Sequence, residues 1–207
     1  VVVIGALLFD QTYQVRRIAV LAEGKDEPGM LQDFAKLMEE RRPTVVTFNG
    51  RGFDMPVIAT RCLRYGIPFR HYYNSRDVRY RFTPEGHLDV MDYIADFGAT
   101  KSARLDVIAK LCGMPGKVGV DGKDVGPMVH AGKIQEVRDY CLCDVAQTAG
   151  VFLRLQLVRG ELDRERYLAG MTSLLTAIRD NPKLAPVAAA LNEERLLLRE
   201  AGSPPAP

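Results

Sequence analysis

The spacing of apolar side chains changes several times along this chain, and each change marks an element. Residues 1–9, VVVIGALLF, are an almost unbroken apolar run rich in β-branched residues. Residues 15–21 are a second such run, and DQTYQ lies between them, so the pair predicts a hairpin. EPGMLQDFAKLMEERR then moves to a helical period. Met30, Leu31, Phe34, Leu37 and Met38 fall on one face, and Arg41 and Arg42 suit the helix C-terminus. TVVTF, residues 44–48, predicts a third strand, and VIATRCLRYG a helix closed by Gly66. Residues 66–87 read as turns with basic and aromatic side chains. DVMDYIADFG and ARLDVIAKLCG predict two short helices, and MPGKVGVDGKDVG a glycine-rich loop. A long helix is expected over 132–158, with further helices over 162–178 and 187–199. AGSPPAP reads as a disordered tail. Strands first and helices later predict an α/β fold, a mixed sheet flanked by helices.

Composition narrows the class. With 207 residues, 47% of them hydrophobic, the chain can bury a core as one domain or two. Its 28 basic and 26 acidic side chains leave a net charge of +2, which neither advertises nor excludes a nucleic-acid groove. Cys62, Cys112, Cys141 and Cys143 form no metal-ribbon spacing, so reduced thiols in a cytoplasmic protein are expected. No apolar run approaches the ~18 residues of a membrane span. The opening run has neither the basic start nor the cleavage site of a signal peptide. A chain opening in mid-strand without methionine reads as a fragment.

Two places hold candidate chemistry. FNGRGFDMP, residues 48–56, sits at a strand-to-helix corner. Asp54 could cap the helix, Pro56 is tolerated in its first turn, and Gly50 and Gly52 permit a tight turn. The second is VRDYCLCDVAQTAGVFLRLQ, whose apolar or small stripe runs Val137, Cys141, Val145, Thr148, Phe152, Leu155. Asp144 falls into that stripe with Tyr140 one turn before it. Two readings are open: a tyrosine bonded to a helix carboxylate, or a carboxylate that holds a hard divalent cation.

Together these segments resemble a known family. YCLCD matches the Tyr-x-x-x-Asp third motif of the tyrosine branch of the DEDD 3'–5' exonucleases, and FNGRGFD matches their second motif. HLDVMDYIADFGATKSARLDVIAKLCGMPGK looks like the intervening stretch of the proofreading domain of family-B DNA polymerases. The chain thus resembles the stand-alone exonucleases related to that domain, over about residues 1–160. The resemblance implies a ribonuclease-H-like fold over 1–160, with a helical extension over 161–200 and the tail over 201–207. It implies hydrolysis of terminal phosphodiesters of single-stranded DNA 3' ends, with RNA trimming as the alternative, and release of nucleoside monophosphates. Asp54 and Asp144 match metal ligands for Mg²⁺ or Mn²⁺, in a site of two ions about 3.5–4 Å apart. Tyr140 matches the residue that orients the attacking water. Asn49 and Phe53, with Gly50 between them, match positions beside the terminal nucleotide.

One departure accompanies this match. The family's first motif, Asp-x-Glu on the first strand, is not found there. Asp10 in FDQT reads as a hairpin residue instead, and the motif-bearing strand is expected upstream of residue 1. The same departure leaves a non-catalytic single-strand-binding module as a further alternative. No polymerase is expected to follow, so a proofreading or repair role would be expected to act in trans. RYGIPFRHYYNSRDVRYRF interleaves arginines, among them Arg79 and Arg81, with aromatics that include Tyr80. It reads either as a single-strand channel or as a solvated loop, with Lys101 and Lys117 as further phosphate contacts. His87 is expected to be structural, its ring bonded to nearby backbone. Asp89 and Asp92 read as helix caps or near-site acids. The glycine-rich loop lacks the Walker A pattern. No protein partner or oligomeric state is readable.

Overall fold

A computed structural model describes residues 1–117 and 122–200. The hairpin comes first, as β1 (Gly5–Phe9) and β2 (Val15–Val20). Then come α1 (Glu27–Arg41), β3 (Val45–Thr47) and α2 (Asp54–Tyr65). Two short helices follow, α3 (Arg70–Asn74) and α4 (Arg76–Arg79), and then β4 (His87–Asp89) and α5 (Val90–Ile94). The later chain is helical: α6 (Leu105–Cys112), α7 (Val125–His130), α8 (Ile134–Val158) and α9 (Arg164–Arg179). The last elements are α10 (Ala185–Ala188) and α11 (Glu193–Leu196).

The protein is therefore a helix-rich mixed α/β chain. Among the described residues the strands form two two-stranded sheets, not one mixed sheet. β1 pairs antiparallel with β2, and β3 pairs parallel with β4 in the register Val45–His87, Val46–Leu88, Thr47–Asp89. The chain divides into two units. One holds Val1–Ile4 and Leu21–Ala103; the other holds Gly5–Val20 and the chain from Arg104 onward. The expected tail, 201–207, lies outside the described residues.

In the first unit, α1 and α2 pack through Leu31, Met38, Met55, Ile58 and Cys62, closed by Phe69. Each such buried side chain contributes roughly 1.5–3 kcal/mol. Met30, Leu31 and Met38 of the expected α1 face are buried; Ala35 completes it, and Leu37 is turned outward. Arg61 on α2 reaches Glu27 at the start of α1, with Nε at 2.7 Å and Nη2 on the other oxygen. This guanidinium holds the Glu27 carboxyl down to about 2. α2 stops at Gly66, whose φ of 64° is the left-handed conformation that ends a helix.

In the second unit, α8 is the central helix. By length and composition it could cross a bilayer, which corrects the expectation that no stretch approached that size. Its leucines, valines and phenylalanine are interspersed with Asp144, Gln147, Arg154 and Gln156, so the apolar character shows in no unbroken run. Its own protein buries 56% of the most apolar window, as in a core helix. The expected single stripe is also corrected. Leu142, Cys143, Ala146, Gln147, Gly150 and Leu153 are buried, while Cys141, Asp144, Val145 and Thr148 are half-buried. α6 and α9 lie on α8, and so does β1. β1 comes so close that a Cβ on Gly5 would sit 2.8 Å from Cys141 Sγ. A helix contacted on several sides has no single apolar face. Tyr167 of α9 is buried, donates to the Leu196 carbonyl at 2.6 Å and accepts from Arg154 Nε at 2.9 Å.

Candidate active site

The corner after β3 is built by close approaches. Asn49 adopts a left-handed φ of 63°. The Phe53 N–H then returns to the Asn49 carbonyl at 3.0 Å, and Met55 N–H to the Gly50 carbonyl at 2.9 Å. A Cβ on Gly50 would stand 2.4–2.5 Å from Thr47 side-chain atoms, so only glycine fits. Asp54 does not cap α2, which corrects one reading of the corner. The Ncap position is Phe53, with no side-chain cap, and Asp54 is the first helical residue. There its charge still favours the helix N-terminus.

Asp89, at the end of β4 and only 2% exposed, fixes this corner. Its Oδ1 accepts the Asn49 N–H at 2.8 Å and the Met91 N–H at 3.1 Å, and its Oδ2 accepts the Arg51 N–H at 2.9 Å. It is thus both the N-cap of α5 and the clamp of the second-motif turn. The Arg51 guanidinium extends the clamp to the carbonyls of Val78 (3.0 Å), Tyr80 (3.2 Å) and His87. Arg51 Nε is buried without a hydrogen-bond partner. Asp92, also buried, takes a bidentate ion pair from Arg81, Nε–Oδ2 at 3.0 Å and Nη2–Oδ1 at 2.6 Å. His87 is structural, as expected, but its Nε2 meets the Thr47 hydroxyl at 2.8 Å rather than backbone. Burial depresses its pKa to about 4.

Asp54 reaches solvent. The protein around it still displaces enough water to raise its carboxyl pKa. Its own backbone N–H opposes the rise, and the Asp89 charge adds to it. Phe53 beside it is 62% exposed. A cleft of about 380 Å³ opens next to this corner, lined by Asn49, Gly52, Tyr72, Arg79, Arg81 and Met91 among others. Arg79 lies over the rings of Tyr72 (5.8 Å) and Tyr73 (5.5 Å). The 66–87 stretch therefore contains α3 and α4 as well as turns. Asn49, Gly50, Phe53, Asp54, Arg79, Tyr80 and Arg81 all belong to the first unit.

Tyr140 and Asp144 belong to the second unit, half-buried and one turn apart on α8. Burial pushes the neighbouring Cys143 thiol up to about 11, and the charges of Asp144 and Asp139 add to this. Asp10 is a hairpin residue, as expected. It accepts from Thr12 N (2.8 Å), Thr12 Oγ1 (2.7 Å) and Gln14 N (3.0 Å). All four cysteines are free thiols.

As a donor for a hard cation, the exposed Asp54 carboxylate has the right chemistry. Asp89 does not, because three N–H groups occupy its two oxygens. Among the described residues no group of three or more His, Cys, Asp or Glu side chains is placed to hold a metal. Asp54 in the first unit and Asp144 in the second are the carboxylates the motifs single out, and among the described residues no such group includes either. From sequence alone Asp89 and Asp92 are either helix caps or near-site acids, and Arg51 stands out in no pattern. The available signal was two aspartates set within the apolar stretch HLDVMD.

Residues 1–191 match a family model, which defines the class as exonuclease-like. The chain belongs to the family described as predicted 3'-5' exonuclease related to the exonuclease domain of PolB. No curated protein and no solved structure matched the chain.

Proposed function

We propose that the protein is a metal-dependent 3'–5' exonuclease that trims single-stranded DNA and releases nucleoside monophosphates. The reading rests on the family membership and on one structural observation. Asp54 opens α2 from a turn clamped by the buried Asp89, beside a cleft that carries Arg79 and Arg81. A ribonuclease-H-like frame belongs to this proposal, as does a cytoplasmic location. Asp54 and Asp144 would hold Mg²⁺ or Mn²⁺. Ions there would lower the pKa of the attacking water and stabilise the leaving 3' oxygen.

The chain's own residues divide the remaining work. The Tyr140 hydroxyl orients the water. Asn49 and Phe53 flank the terminal nucleotide, and the exposed Gly52 lets the strand come close, while Gly50 is buried against Thr47 and shapes the turn. Arg79 and Arg81 meet phosphates, and Tyr80 offers a face to a base. Because the surrounding protein displaces water from it and raises the Asp54 pKa, protons compete with the cation there more than at an ordinary aspartate.

A second reading, a single-strand-binding module without turnover, is favoured by one observation. The described residues include no cluster of three or more metal-ligating side chains. Matched oligonucleotides ending in a 3'-deoxyribose or a 3'-ribose, with products identified by mass, test the proposal. DNA trimming predicts deoxynucleoside monophosphates and faster loss of the deoxy end. Faster loss of the ribose end would make the protein an RNA trimmer. Binding of both without products would establish the module.

A further inference from the structure

Outside the corner, four aromatic rings from two separated segments meet on the first unit. Tyr80 and Phe82 lie with centroids 5.7 Å apart. Phe82 meets Phe97 at 5.0 Å, and Phe97 meets Tyr93 at 5.1 Å. The row is not core: Phe82 is 58% exposed and Tyr80 43%. Tyr80 and Phe82 lie in one basic stretch of sequence, and only the fold brings Phe97 to them.

The turn that delivers Phe97 is unusual. Asp96 and Phe97 both adopt left-handed φ angles, 47° and 52°, immediately before Gly98 at 98°. Two successive non-glycine residues in that region are costly, and such strain collects at functional positions. Three hydrogen bonds hold the turn: Gly98 N–H to the Ala95 carbonyl (3.0 Å), Ala99 N–H to Asp96 (3.0 Å) and Thr100 N–H to Ala95 (3.1 Å). What the strain achieves is to set the Phe97 ring against the exposed Phe82.

Charge selects the occupant. The Arg76 guanidinium lies 5.2 Å over the Tyr80 ring, and Arg79 stands on the neighbouring tyrosines. Within residues 66–87, Arg70, Arg76, Arg79 and Arg81 stand against two acids, Asp77 and Glu85; beyond it Asp92 pairs Arg81, and Asp96 is exposed at the turn. Exposed aromatic faces bordered by arginines suit a polyanion with flat bases.

We propose that Tyr80, Phe82 and Phe97 form a base-stacking rail for single-stranded nucleic acid, with Arg76 and Arg79 as its phosphate contacts. It shares its substrate class with the exonuclease reading, but binding requires no turnover. The test is therefore run in EDTA on the full chain. Fluorescence anisotropy compares a labelled oligothymidylate with an abasic strand of equal length. The wild type should prefer the strand with bases by roughly tenfold or more. Phe82→Leu keeps the apolar bulk but removes the π face, and should abolish most of that preference. Phe82→Tyr should retain it. Tyr80→Leu is the second variant should Phe82→Leu fail to fold, and thermal melting monitors both. Equal binding of the two strands by the wild type, or an undiminished preference in a folded leucine variant, overturns the rail. A wild type that shows the preference in EDTA but shortens no strand when Mg²⁺ or Mn²⁺ is supplied would count against the exonuclease reading and leave the rail standing.

Discussion

Replacing Asp89 by asparagine isolates the clamp of the second-motif corner. With Oδ1 left in place, the amide can still accept from Asn49 and Met91, though as neutral rather than charge-assisted bonds. The other position becomes an NH₂ group facing the Arg51 N–H, so that bond is lost and two donors confront each other. A buried donor left unpaired costs about 1–3 kcal/mol, and the two weakened bonds add roughly 0.5–1 kcal/mol each. Burial of the charge, which raises the Asp89 pKa, is relieved by the substitution and offsets part of this. The net expectation is a loss of about 2–3 kcal/mol, read as a lower urea midpoint with an unchanged slope. Amide exchange should localise the damage, with the Arg51 N–H gaining more rate than the β3 amides. A midpoint shift below about 0.5 kcal/mol, or an unchanged Arg51 amide, would refute the clamp.

Other consequences follow from the same unit. Gly50→Ala forces a methyl to 2.4–2.5 Å from Thr47, so a loss of about 3 kcal/mol is expected by denaturation; a change below about 0.5 kcal/mol would show that the turn is not so tight. His87 is buried neutral, with a pKa lowered from 6.5 to about 4. Between these values the unfolded chain holds the extra proton, so stability is intact above 6.5 and falls as pH drops toward 4. The total is about 3 kcal/mol. His87→Gln should flatten that part of the pH–stability curve, and an unaltered slope would place the titration elsewhere.

Local patterns were legible where local chemistry decides. The hairpin, α1, and the stop of α2 at Gly66 all follow from period and turn residues. β4 was not legible, because three residues, His-Leu-Asp, carry no period, and their strand geometry comes from pairing with Val45–Thr47. The single helix expected over 187–199 is instead α10 and α11. Asn192 breaks it: its side chain caps the Arg195 N–H, and its backbone N–H reaches the Gly113 carbonyl. The candidate site shows the same division. Asn49, Gly50, Phe53 and Asp54 could be read from one short motif. The Asp89 bonds that shape that motif span 38 and 40 residues, and no window of sequence displays them.

The central claim is metal-dependent 3'–5' exonuclease action through Asp54 and Asp144. A 5'-labelled single strand incubated with the protein and Mg²⁺ or Mn²⁺, beside its Asp144→Asn variant, tests it most directly. A ladder of strands shortened from the 3' end is expected. The ladder should vanish with chelator and in the variant, while the variant's melting temperature stays within a few degrees of wild type. A variant that shortens the strand as fast as the wild type, or a wild type that leaves it intact with either metal, would contradict the claim.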